Sequence, residues 1–429
     1  MKVFLTGASG FIGRHVLFAL SRGGHEITCL VREPAAPALE SLALPGVAVR
    51  TAAFTQVQDW GALVRGHDVV VNTVGIIRET PRGSFDDVHR RAPVALFGAT
   101  RQAGVRKIVQ LSALGAEDGA VSRYHQTKRA ADAYLESLGV PFIVLKPSLV
   151  YGPGDHSMAL FSALAALPIT PVPGDGRYEV QPVHVDDLVR AIVRAVEDDG
   201  IARVSVDVGG ERAYPFREVL DILARWSGKP RGATKLPIPL LAMRAAAMLT
   251  DAFGGRGPIT QEELGMLLLG STCDIEPFAR IFGFRPLAFA AGVARRPRSP
   301  EALWYARLRN LILPLRLSIA FVWLATGFIC AFVYPLSGSL ALMARVGIEG
   351  ALAHVSLYGI CLIEIALGVA TAIGWRVRAL GAVQLALMLA FMVMLTAGMP
   401  ELWWHPFGPL TKNIPLIAAT LVMMATAER

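Results

Sequence analysis

Cysteine is scarce in this chain. Cys29, Cys273, Cys330 and Cys361 are the only four in 429 residues, with no close pair and no metal-ligand spacing. That argues against a disulfide framework and leaves no metal site to assign. The N-terminus lacks a secretory leader pattern, because Thr6-Gly7-Ala8-Ser9-Gly10 interrupts the short apolar run after Lys2 before it could serve as an h-region. A basic stripe interleaved with aromatics is also missing, so the formal net charge of +8 does not point to nucleic acid. Much of the excess sits in Arg295, Arg296, Arg298, Arg307, Arg309 and Arg316, where the composition changes from ordinary to strongly apolar. Basic residues flanking membrane-spanning helices have that distribution.

What the first half does contain is a glycine-rich turn in a defined context. Lys2-Val3-Phe4-Leu5 has the length of a buried parallel strand and leads into Thr6-Gly7-Ala8-Ser9-Gly10-Phe11-Ile12-Gly13, followed by a helical pattern through Val16, Leu17 and Leu20. Gly7 permits the tight turn, Gly10 lets backbone amides approach a pyrophosphate, and Gly13 lets the helix press on the sheet. The helix N-terminus then offers free N–H groups and a positive dipole end to phosphate. Thr6, Gly7, Ser9, Gly10, Phe11, Ile12 and Gly13 are therefore the expected cofactor contacts. A second strand, Glu26–Val31, ends at Arg32-Glu33. An arginine at this point accommodates a 2′-phosphate, whereas an acidic residue binds ribose hydroxyls. Arg32 comes first, which favours NADP(H); Glu33 keeps NAD(H) open.

Two further strand-like runs, Asp68–Thr73 and Lys107–Leu111, follow, and the second leads into Ser112. Tyr124 and Lys128 stand four residues apart, on one face of a helix. A lysine ammonium one turn away stabilises a phenolate and can hold a ribose, and a serine opposite orients a carbonyl. Ser112, Tyr124 and Lys128 are the expected catalytic set.

The Thr6–Gly13 turn, Ser-Ala-Leu-Gly at Ser112–Gly115 and Ser-Arg-Tyr-His-Gln-Thr-Lys at Ser122–Lys128 resemble the atypical short-chain dehydrogenase/reductases. Lys146–Asp155 and Gln181–Leu188 also match, and the resemblance, which runs from about Met1 to Val293, is to the NmrA-like proteins and the NADPH-binding accessory subunit of mitochondrial complex I. It implies nucleotide contacts at Gly7, Gly10, Gly13 and Arg32, and Tyr124 with Lys128 at the nicotinamide end. A late strand ending at Pro147-Ser148 would line the cleft, and His184, Asp186 and Asp187 would be mostly architectural. Asn72, at the end of the Asp68–Thr73 strand, is a further expected cofactor contact. One departure is at the third strand, where an aspartate that meets adenine is replaced by Thr51-Ala52-Ala53-Phe54. The group also contains proteins that bind the nucleotide and catalyse nothing.

From Leu311 onward, apolar segments of spanning length dominate: about Leu311–Tyr334, Ala351–Trp375, Ala379–Ala397 and a shorter one at Ile414–Ala427. The first three reach the roughly 20 residues a bilayer core requires. Arg307, Arg309 and Arg316 flank the first, and Arg376 and Arg378 fill the turn between the second and third, which places both termini on the cytoplasmic side of an inner membrane. Glu364 lies near mid-membrane, a functional position by default unless a neighbour such as Gln384 or His354 bonds it. With the Trp403-Trp404 pair, the pattern resembles the DoxX-like membrane family, which implies redox work and another membrane redox protein as a possible partner. The apolar stretch Leu236–Leu249, broken by Pro237 and Pro239, is too short to span; it is expected to pack in the substrate lobe or to rest on the membrane surface.

The expected architecture is an α/β Rossmann-type doubly wound parallel sheet with a small substrate lobe over 1–295, a basic linker over 296–310, and an all-α four-helix transmembrane bundle over 311–429. The expected activity is an NAD(P)(H)-dependent oxidoreductase acting on a carbonyl or alcohol. The alternative is a non-catalytic nucleotide-binding assembly or sensor subunit. Epimerisation or dehydration of a nucleotide sugar ranks third, because no sugar-diphosphate site can be assigned.

Overall fold

The computed structural model describes residues 1–80, 83–155, 157–252, 259–295 and 300–427, excluding the side chains of 300–303 and 305–307. It divides into two compact units, Met1–Leu303 and Trp304–Arg429. Arg296 and Arg298 lie outside the described residues, as does the side chain of Arg307.

The first unit is built on seven parallel strands: β1 Lys2–Thr6, β2 Glu26–Val31, β3 Val47–Thr51, β4 Val69–Asn72, β5 Lys107–Leu111, β6 Phe142–Pro147 and β7 Val204–Val208. Their order is β7-β6-β5-β4-β1-β2-β3. Every residue of β4 and β5 is buried, as strands covered on both faces require. Helices α1 (Phe11–Arg22) and, later in the chain, Val185–Glu197 bury Val16, Leu17, Leu20, Leu188 and Ile192 in one core with β1. Helices α2 (Ala92–Gln102) and α3 (Arg123–Ser137) bury Leu96, Phe97, Ala131 and Leu135 in another, with Phe4 and Val70 of the sheet. The Val185–Glu197 helix is α4. Chain order reverses between β1 and β4, so the crevice at their C-terminal ends is where this topology binds ligands.

A smaller lobe gathers around Tyr151, Phe216, Val219, Trp226 and Phe289, with α5 (Phe216–Trp226) at its centre. The Leu236–Leu249 stretch splits there. Its start pairs as a strand (Lys235–Ile238) with Thr170–Pro173, and the rest forms α6, Leu240–Ala252. The prolines fall in the strand and at the break between the two elements. Helix α7 (Gln261–Leu269) opens on a capping box between Thr260 and Glu263.

Helix α8 (Pro300–Phe328), most of it in the second unit, takes in much of the stretch expected as a linker and continues as a π turn over Ile329–Val333. Helices α9 (Gly350–Ile373), α10 (Val377–Gly398) and α11 (Asn413–Thr426) follow, with a short helix, Leu336–Arg345, before α9. Among the described residues, three segments, Leu308–Val333, Gly350–Ile373 and Val377–Gly398, are long and apolar enough to cross a membrane. The fourth helix has 14 residues, about 21 Å of helix, and is too short to cross a core of about 30 Å alone. Arg316 packs against Gly374, and Arg378 donates to the Ala427 carbonyl at 3.0 Å. An Arg345–Glu401 ion pair joins the two loops at the other end of the unit. Glu364 is buried on α9, with Gly327 of α8 packed against its Cβ. Neither side chain considered as an alternative partner for Glu364 bonds it. Gln384 donates instead to Thr371 Oγ1 at 2.8 Å, and the His354 ring is at 3.1 Å from the Gly350 carbonyl, one turn back on its own helix.

Candidate nucleotide and Tyr-Lys site

The turn after β1 is built by close approach. Gly7 has φ +83°, and a Cβ there would lie 2.6 Å from Thr73 Oγ1. A Cβ on Gly13 would lie 2.1 Å from the Gly7 carbonyl oxygen, so helix and turn touch backbone to backbone. Gly10 N donates to Gly7 O at 2.9 Å and closes the turn. Gly10 is exposed, no side chain caps α1, and its first turn holds no acidic residue. The uncapped N–H groups and the positive dipole end therefore fit a phosphate group. Ser9, Phe11 and Ile12 are all partly exposed around that turn, and Arg32 is exposed at the end of the adjacent strand β2.

One level of the sheet carries a polar rung. Thr6 Oγ1 donates to Asn72 Oδ1 at 2.6 Å, and Asn72 Nδ2 donates to Gln110 Oε1 at 2.8 Å. These three residues face one another in register across β1, β4 and β5, and all are buried. Asn72 Oδ1 also accepts from Val74 N at 3.3 Å, which shapes the loop leaving β4. Asn72 thus supports the crevice from below. Pro147 is buried at the end of β6, and its carbonyl accepts from Leu114 N at 2.9 Å.

Helix α3, its start capped by Ser122, carries Tyr124 and Lys128, while Ser112 directly follows β5. Lys128 is buried, and its ammonium donates to the Leu111 carbonyl at 3.0 Å and the Val74 carbonyl at 3.5 Å. Burial brings its pKa down to about 8, opposed by the charge of Asp132. A Cβ on Gly75 would come within 3.2 Å of that ammonium, so the glycine leaves it approachable. Ser112 is buried and donates a short hydrogen bond to Asp132. Burial raises Asp132 to about 6 against the Ser112 bond and the Lys128 charge, and its second oxygen is buried without a partner. Tyr124 packs edge-on to His89 and His125, with ring centroids 5.2 and 5.0 Å away. Burial, then the Asp132 charge, pushes its hydroxyl up to about 12. The expected lowering of Tyr124 by Lys128 is not seen; burial dominates, and the ammonium meets two main-chain carbonyls.

Several residues at the site carried no signal in the linear pattern. His89 accepts from Ile76 N at 3.0 Å and is pushed down to about 2 by burial and then by the Lys128 charge, so it is a neutral wall. Glu262 accepts from the main-chain N of Tyr124 at 2.9 Å, and Glu263 takes both ends of the Arg78 guanidinium, at 3.2 and 2.5 Å. The first turn of α7 is thereby clamped to the start of α3. Asp132 was detectable, standing one further turn along the Lys128 face. His184 caps α4 by accepting from Asp186 N at 3.2 Å, and Asp187 accepts from Leu287 N at 2.8 Å, so both are architectural.

Residues 3–209 match the NAD dependent epimerase/dehydratase family, and residues 320–421 match the DoxX-like family. The ceramide reductase of Caulobacter vibrioides is 28% identical over 253 residues, covering 58% of this chain and 78% of that protein. The mitochondrial NADH dehydrogenase [ubiquinone] 1 alpha subcomplex subunit 9 of Arabidopsis thaliana is 27% identical, covering 56% of this chain and 61% of that subunit, under two thirds of its length. The photosystem II assembly factor Ycf39 of Synechocystis is 23% identical, covering 67% and 86%. Among solved structures, an NADPH-dependent quinone oxidoreductase of Escherichia coli superposes with TM-score 0.55 at 19% identity, covering 68% of this chain and 98% of that one. At that identity the likeness concerns the fold. The chain therefore joins a nucleotide-binding domain of the NAD dependent epimerase/dehydratase type, similar to the NmrA-like and complex I accessory proteins, to a DoxX-like helical membrane domain.

Proposed function

We propose that this chain is a membrane-anchored NAD(P)(H)-dependent oxidoreductase that interconverts a carbonyl and an alcohol. One observation supports the reading: the Gly7–Gly13 turn follows β1, Ser112 follows β5, and Lys128 of α3 reaches the main chain at the ends of β4 and β5, all on the C-terminal side of one parallel sheet. A bound nicotinamide would supply or accept the hydride. Tyr124 would give the proton to the carbonyl oxygen, or take it from the alcohol. Lys128 would hold the ribose and the field around the phenol, and Asp132 would fix the Ser112 hydroxyl. The exposed Arg32 at the end of β2 supports a preference for NADP(H). The basic residues Arg316, Arg376 and Arg378 support an inner-membrane topology with the first unit and the C-terminus cytoplasmic.

Titration of the detergent-purified full chain with NADPH and NADH, followed by intrinsic fluorescence, tests the cofactor. NADPH should bind more tightly, and Arg32→Ala should weaken NADPH by about tenfold, a 1.4 kcal/mol loss of the kind one charged phosphate contact gives, while leaving NADH nearly unchanged. Equal losses for both nucleotides would remove Arg32 from phosphate recognition. Tyr124→Phe should abolish reductase turnover and leave NADPH affinity within about twofold of wild type; full turnover in that variant would refute the mechanism.

A second reading is favoured by a specific feature. The Lys128 ammonium is directed to two main-chain carbonyls, and burial shifts the Tyr124 hydroxyl upward, an arrangement suited to a nucleotide held without turnover. In that case the protein is an assembly or sensor subunit of a membrane complex, and NADPH should copurify in stoichiometric amount and resist exchange.

A further inference from the structure

Helix α6 is apolar on the outside. Of its thirteen residues only Ala247 and Thr250 are buried. Leu241, Met248 and Leu249 are 81%, 58% and 60% exposed, and Leu241, Ala245, Met248 and Ala252 fall on one stripe at helical spacing. The neighbouring Leu236 and Leu269 add to the same lobe's exposed apolar surface. Folded domains in water rarely leave a continuous surface of this kind uncovered.

We propose that α6 is a docking surface for the bilayer, lying in its interfacial layer with Leu241, Met248 and Leu249 inserted among the lipids. Three observations select lipid as the occupant. The chain has three helices long and apolar enough to span a bilayer, and only twelve residues separate Arg295 from Leu308, the start of the first of them. Fully extended, that stretch reaches about 40 Å, so the first unit cannot leave the neighbourhood of a membrane. The only charges on α6 are Arg244 and Asp251, and Asp251 is occupied by Gln261. Arg244 and Arg231 are exposed cations of the sort that meet anionic headgroups. Helix α6 also packs on α7, whose first turn holds Tyr124 and Arg78 through Glu262 and Glu263. A bilayer under α6 therefore lies one helix away from the Tyr124 side of the cleft. The docking itself does not depend on the proposed catalysis.

The experiment uses the full chain in nanodiscs of phosphatidylcholine and phosphatidylglycerol, one chain per disc, with the four native cysteines replaced by serine. An environment-sensitive NBD label is placed at Leu241→Cys and, in a separate protein, at Leu249→Cys. Both labels should emit blue-shifted light and lose at least half their intensity to lipids spin-labelled near the top of the acyl chain. Red-shifted, unquenched emission at both positions overturns the proposal. So does a blue shift without lipid quenching, because it assigns the surface to protein. NADPH titration of the same samples separates the two proposals: lost binding with intact lipid quenching counts against the proposed function and leaves the docking standing.

Discussion

Asp132 shows how much one side chain can govern. It is wholly buried, bonded to Ser112 and one helical turn from Lys128, and burial lifts its pKa from 3.8 to about 6. The unfolded chain releases this proton near pH 4, while the folded chain keeps it until about pH 6. The folded state therefore holds more protons in that window, and stability falls as pH rises through it. A shift of about two units corresponds to roughly 3 kcal/mol. Asp132→Asn removes the titration, so the wild-type advantage over the variant should shrink by about that amount between pH 4 and pH 6.5 in urea unfolding. A constant difference across the window would mean that Asp132 is ionised throughout. Its neighbour Lys128 marks a limit of linear reading. Tyr124 and Lys128 are legible from their spacing, but the direction of the Lys128 ammonium depends on the carbonyls of Leu111 and Val74, at positions no local pattern connects to it.

At the scale of elements, the β1–turn–α1 unit was readable because its constraint is local: three glycines stand where backbone meets backbone. Gly13→Ala is the sharpest test. Its methyl would lie 2.1 Å from the Gly7 carbonyl oxygen and 2.7 Å from Thr73 Oγ1, so α1 must move off the turn. Overpacking of this kind costs about 1–3 kcal/mol, and NADPH affinity should fall by more than about tenfold as the phosphate-facing amides shift. Thermal melts and nucleotide titration of the variant measure both; unchanged binding would place the phosphate elsewhere. By contrast, the clamp of α7 on α3 joins residues 138 positions apart through Glu262 and the Tyr124 main chain, and composition carries no trace of it. Spanning helices were legible from length and hydropathy, because lipid demands a continuous apolar run. Which side chain bonds Gln384 was not, since that depends on how α9 and α10 face each other, and Thr371 rather than Glu364 meets it.

For the whole molecule, the proposed membrane topology is testable. Arg316 sits at Gly374, and Arg378 reaches the Ala427 carbonyl, so the basic turn and the chain's end share one end of the second unit. A C-terminal green fluorescent protein fusion should therefore fluoresce and an alkaline phosphatase fusion should be inactive; the reverse pair of results would invert the orientation. The polar rung of Thr6, Asn72 and Gln110 has a mechanical meaning at this scale. It runs at right angles to the strands, across the line where the two halves of the sheet meet. Sliding one half along the other would have to break the Thr6–Asn72 bond in a place no water reaches to replace it. The cleft floor is thus a cross-braced deck, and any opening to admit a ligand must come from the loops above it.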